Sequence, residues 1–176
     1  VDWGFGTPVA RSAPGQSLML FLEVVDDGLS RESVMDLLTT CPLRSDWPGA
    51  ESEPANPPKW DRIAREAGVI GSIGARNDQT EWMEPLRRFA NHARHLLERS
   101  VSDSDDAAHQ NQDRLKSDEL YATQLLHVIG KLITVRRDIQ SAERSANWGR
   151  WVSAVRNGWD ALINFGPEHS EAIARI

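Results

Sequence analysis

The stretch "YATQLLHVIGKLITVRRDIQ", residues 121–140, places apolar side chains at Tyr121, Leu125, Val128, Leu132, Val135 and Ile139. Spacings of four, three, four, three and four trace one face of an α-helix. Leu126, Ile129 and Ile133 widen that face, so the helix must meet neighbours on two sides. Ser117 is its expected N-cap.

The neighbours can be read outward from this helix. Upstream, Trp82, Leu86, Phe89, Ala93 and Leu96 recur at four, three, four and three, with Pro85 marking a kink or a start. Downstream, a helix opening near Asn147 carries Trp148, Trp151, Val152, Val155, Trp159, Leu162 and Ile163 on an expected inner face. Near the N-terminus, Leu18, Phe21, Leu22 and Val25 form a stripe and Leu20 and Val24 cover the other side. A helix apolar nearly all round belongs at the centre. It is punctuated by Ser12 and Pro14 before it and Gly28 after it. In "LSRESVMDLLTTCP", residues 29–42, Ser30 caps a helix whose Val34, Leu37, Leu38 and Cys41 face inward and which Pro42 stops. Pro57 and Pro58 open another short helix, with Trp60, Ile63, Ala64 and Ala67 on one face and Gly68 at its end.

Strand alternation is nearly absent, so the expected fold is all-α: an irregular bundle of six or seven helices with two long polar loops. The first loop, 44–58, holds four prolines. The second, 102–118, "SDSDDAAHQNQDRLKSD", has almost nothing to bury and reads as an acidic, solvated linker. The 176 residues suit one domain with a core large enough to need no disulfide. The lone Cys41 reads as a buried, reduced thiol of a cytoplasmic protein. The longest apolar run, "LMLFL", cannot span a bilayer, and no signal segment opens the chain. Val1 in first place, followed by the turn-rich "DWGFGTP", leads to the expectation that the chain is a segment of a longer one.

A formal charge of −6 disfavours non-specific coating of nucleic acid, so any DNA contact must use a local patch. Two patches qualify. Arg88, His92, His95 and Arg99 repeat at four, three and four on the polar side of their helix. Arg136, Arg137 and Arg144 close the long helix, where cations also compensate the helix dipole. Among the seven tryptophans, Trp3 and Trp47 lie in Pro/Gly-rich stretches and are the candidates for docking a neighbouring domain or stacking on a base. Gly130-Lys131 imitates the end of a phosphate-binding loop, but Leu125 and Leu132 stand where glycine and Ser/Thr belong. His92 and His95 lack a third metal ligand at matching spacing. No catalytic constellation, metal site or cofactor site is expected.

Residues 6–43, "GTPVARSAPGQSLMLFLEVVDDGLSRESVMDLLTTCPL", and 60–72, "WDRIAREAGVIGS", resemble in pattern and order a region of AddB-type helicase–nuclease proteins of the UvrD/RecB-like superfamily. The tryptophan-bearing stretch 147–165 is similar in general character. The resemblance implies a helical insertion in an ATP-dependent helicase/exonuclease acting in double-strand-break repair and recombination. It also implies partners: flanking helicase and nuclease domains of the same chain, and DNA. The ATP-binding loop and the Asp…Glu-x-Lys nuclease cluster of such proteins are not in this sequence, so no catalytic residue carries over. The competing expectation is a stand-alone helical protein–protein interaction module, which requires an exposed apolar patch.

Overall fold

The structure, a computed structural model, describes residues 11–51, 53–69, 79–100 and 106–166. The fold is an all-α bundle of six α-helices: α1 Ala13–Asp26, α2 Arg31–Thr40, α3 Pro57–Glu66, α4 Glu84–Ser100, α5 Asp106–Arg144 and α6 Trp148–Leu162. A five-residue π turn, Gln79–Met83, runs into α4. Pro85 lacks the N–H that an α-helix would aim at Glu81, and the wider π turn ends just before it.

Local chemistry sets the helix ends. Ser12 Oγ accepts from Gly15 N at 3.2 Å, Asn56 Oδ1 from Lys59 N at 3.2 Å and Asn147 Oδ1 from Arg150 N at 3.0 Å, so each satisfies an otherwise orphaned donor. Ser30 caps α2 and donates its hydroxyl to Asp27 Oδ2 at 2.9 Å. Between α1 and α2 the chain reverses through Gly28 (φ 81°) and Leu29 (φ 61°). A left-handed leucine is costly. It is held here by full burial of its side chain and by its carbonyl, which accepts Trp82 Nε1–H at 2.7 Å.

α5 is the axis of the molecule. Thirty-nine residues make it about 58 Å long. α4 lies antiparallel along its first half: Ser100 O accepts from Gln112 Nε2 at 2.8 Å, and Arg94 pairs with Glu119 at 2.6 Å. α6 folds back along its second half, with α1 packed across both where Gly158, Val135 and Phe21 meet. The core gathers Phe21, Leu37, Trp60, Trp82, Leu86, Leu125, Ile129, Leu132 and Trp159. A single antiparallel bridge, Leu43 with Ile163, ties the exit of α2 to the end of α6; it is the one extended pairing among the described residues.

Three expectations are corrected. The acidic linker at 102–118 is helical from Asp106 onward, and Ser117 lies inside α5 instead of capping it. Residues 106–116 lack an apolar stripe, but extending a helix already nucleated costs little. Arg114–Asp118 and Lys116–Asp113 pairs support it along the surface. Next, α1 is not uniformly buried: Phe21, Val24 and Val25 are inside, while Met19 is 60% exposed. Finally, the proline-rich loop is packed down. Trp47 is buried edge-to-face on Trp60, with ring centres 5.5 Å apart, and Gln124 donates to Glu53 O at 3.1 Å.

The reversal between α5 and α6 passes through Ala146 at φ 51°, fully in the left-handed region and exposed. Ala146→Gly is expected to stabilise the fold by about 0.5–1 kcal/mol, raising the melting temperature by about 1–4 °C. Thermal unfolding followed by circular dichroism checks this, and an unchanged or lower midpoint would contradict it.

Candidate functional site

The α5–α6 corner builds the most distinctive surface of the chain. Ser145 N and Ala146 N donate to Ala142 O and Glu143 O at 3.1 and 3.0 Å and close α5. Asn147 then caps α6, so Trp148 enters at the first helical position, beyond the end of α5. Trp148 is 73% exposed. One face of its ring stacks on Trp151, with centres 4.9 Å apart and planes 15° from parallel. A recess of about 230 Å³ opens on one side, walled by Leu18 and Leu22 of α1 and by Val152, Val155 and Trp159 of α6. A second recess, of about 380 Å³, lies against Ala142, Glu143 and Ala146.

Met19, Trp148 and Val152 are the exposed large hydrophobics among the described residues. Trp148 and Val152 edge the smaller recess directly; Met19 is exposed on α1 and is not among the residues that line it. This corrects the inner-face reading of Trp148 and Val152: they continue the stripe of Val155 and Trp159, but α1 covers only the C-terminal part of it. Helical spacing identifies which face is apolar. It does not reveal where the covering helix stops.

The two basic groups do not form one patch. Arg88, His92, His95 and Arg99 are all exposed on α4, with His95 Nδ1 3.7 Å from Glu98. The register of Ser100 against Gln112 sets Arg99 level with residue 113 of α5. Arg136 lies roughly 23 residues farther on, about 35 Å at 1.5 Å per residue; Arg88, level with Gln124, is still about 18 Å short of it. Arg136 is half-buried and donates Nε–H to Val25 O at 3.1 Å, anchoring α1 to α5. Arg137 and Arg144 are exposed. Trp47 belongs to the core and so is not a docking residue, and Trp3 lies outside the described residues.

A long groove of about 780 Å³ runs between α5 and α6, lined among others by His127, Lys131, Thr134, Asp138, Arg150 and Asn157. Lys131 is paired with Asp46, and that bond and charge hold the Asp46 carboxyl below its usual range against the opposing effect of burial. His127 Nε2 is buried with no hydrogen-bond partner among the described residues. No group of three or more His, Cys, Asp or Glu residues able to hold a metal occurs among the described residues. Nor do they include a helix long and apolar enough to cross a membrane.

Cys41 is buried, and desolvation pushes its thiol above the ordinary range despite an opposing Ser17 hydrogen bond. With its pKa raised, less thiolate is present at any given pH near 8, and access is blocked as well. Iodoacetamide is therefore expected to label Cys41 slowly in the folded chain and promptly in denaturant, as mass spectrometry would read. Prompt labelling of the native chain would contradict the burial.

Comparison with protein families, with curated proteins and with solved structures found no match to this chain.

Proposed function

We propose that the chain is a non-catalytic helical interaction domain that docks a protein partner on the surface around Trp148. The observation that carries this reading is that Trp148 and Val152, two of the three exposed large apolar side chains among the described residues, line one apolar recess. Scattered exposed hydrophobics are ordinary; a contiguous patch with a tryptophan beside a cavity has the anatomy of an interface hot spot. Truncating Trp148 removes little that the fold needs, so Trp148→Ala is expected to change urea-unfolding stability by no more than about 0.5 kcal/mol. The same substitution is expected to weaken binding of a purified, identified partner by roughly 30-fold or more. Isothermal calorimetry on both proteins makes the test. Equal affinity for wild type and variant would sink the proposal.

A second reading takes the chain as an accessory segment of an ATP-dependent DNA helicase/exonuclease, holding DNA along α4. Its support is that Arg88, His92, His95 and Arg99 are exposed together on one helix. Under it, a fluorescein-labelled duplex would bind with an affinity that falls steeply with salt. Arg88→Ala/Arg99→Ala would reduce the magnitude of the log–log salt slope by about 2. A duplex that binds the wild type no better than the variant at low salt would remove this reading.

A further inference from the structure

Resting on the interaction-domain reading, we infer that the Trp148 surface takes an acidic amphipathic segment of a partner protein, with one large apolar side chain filling the recess between α1 and α6. Charge complementarity selects this occupant. Residues 136–156 carry five arginines against Asp138 and Glu143, a local excess of three positive charges in a chain of formal charge −6. Among the described residues, Arg137, Arg144, Arg150 and Arg156 enter no ion pair. Arg156 lines the recess itself and Arg150 the neighbouring α5–α6 groove, so cations flank the tryptophan stack. Unpaired surface cations beside an apolar anchor site attract carboxylates and steer their approach.

The recess also discriminates among anionic partners. Its walls are Leu18, Leu22, Val152 and Val155 with the indoles of Trp148, Trp151 and Trp159, and Arg156 is the one charged side chain among them, so there is no array of hydrogen-bonding groups for a base edge. A nucleobase seated there would lose its polar contacts with water and gain few in return. A volume of about 230 Å³ suits one aromatic or leucine side chain. A second copy of this chain fits poorly, because a two-fold contact centred on Trp148 would bring the same arginine-rich corners together.

The test is a selection on the folded chain from a phage-displayed random library of peptides about four helical turns long. Enriched peptides are then synthesised, and their binding to wild type, Trp148→Ala and Arg150→Glu/Arg156→Glu is measured. The expected consensus has one aromatic or leucine anchor and several acidic residues on helical spacing. Its affinity should fall with salt, drop about tenfold or more in the charge-reversed variant and vanish in Trp148→Ala. A neutral or basic consensus, or no enrichment, overturns the inference about the partner's chemistry and leaves the surface itself to the calorimetric test. Enriched peptides that bind Trp148→Ala equally well overturn both. A labelled oligothymidine that displaces the peptide, or a Trp148-dependent dimer in sedimentation, overturns the inference in favour of nucleic acid or self-association.

Discussion

Gly158→Ala is expected to cost about 3 kcal/mol or more, although the same change in an ordinary helix interior stabilises by about 0.5–1 kcal/mol. The opposite signs make the experiment decisive. A Cβ at position 158 would stand 2.2 Å from Val135 Cγ1, 3.2 Å from Val135 Cγ2 and 3.2 Å from Phe21 Cζ. Valine is stiff about χ1, and both of its methyls already face the glycine, so rotation exchanges one clash for another. Relief requires α6 to move off α5, and that separates Phe21, Val135 and Trp159 in the core. Trimming the obstacle should restore part of the loss: Val135→Ala/Gly158→Ala is expected to be more stable than the sum of the two single changes by about 2 kcal/mol. Urea unfolding of the four proteins in the cycle measures this. A neutral or stabilised Gly158→Ala would mean that α5 and α6 do not approach as closely as described.

The second large effect is expected at Trp60, which is fully buried on α3. It packs edge-to-face against Trp47 of the proline-rich loop, and its Nε1–H donates to Gln124 Oε1 at 3.3 Å. Gln124, itself buried on α5, passes the connection on by donating to Glu53 O. Trp60→Ala removes a large core ring and leaves the Gln124 carbonyl without a donor, so a loss of about 4–5 kcal/mol is expected. Trp60→Phe retains much of the ring volume and removes only the donor, at about 1–3 kcal/mol. Urea unfolding measures both losses, and limited proteolysis separates the two effects. The alanine variant should become sensitive to cleavage within 44–56, while the phenylalanine variant stays protected. Equal protection in both would mean that Trp60 does not hold the loop.

The class of fold was legible because α2, α3, α4 and α6 each carry an apolar stripe at helical spacing, and Ser30, Asn147, Pro42 and Gly68 mark ends the structure retains. The first turns of α5 were not legible, since the sequence from Asp106 to Lys116 carries no apolar stripe and periodicity has nothing to register there. Trp47 was misread because Pro48 and Gly49 follow it in a proline-rich loop, whereas its partner, Trp60, arrives from another element. Trp148 was misread for the converse reason: its neighbours in sequence are those of a core helix, but the surface above it is uncovered. The basic residues on α4 were correctly expected to be exposed. Their separation from Arg136 follows from the antiparallel register of α4 and α5, which single-helix spacing does not encode.

The bridge between Leu43 and Ile163 joins positions about 120 residues apart. Pairing of that kind comes late in folding, because the intervening chain must surrender its freedom before the contact gives anything back. The antiparallel α4–α5 and α5–α6 hairpins rely on near neighbours and can form first. The recess beside Trp148 has one wall from α1 and the other from α6, so it is assembled at the late stage, when the beginning and end of the described chain come together. An unfinished or truncated molecule would present the tryptophans without the cavity. Recognition at this surface would therefore double as quality control, engaging only copies that have completed their assembly.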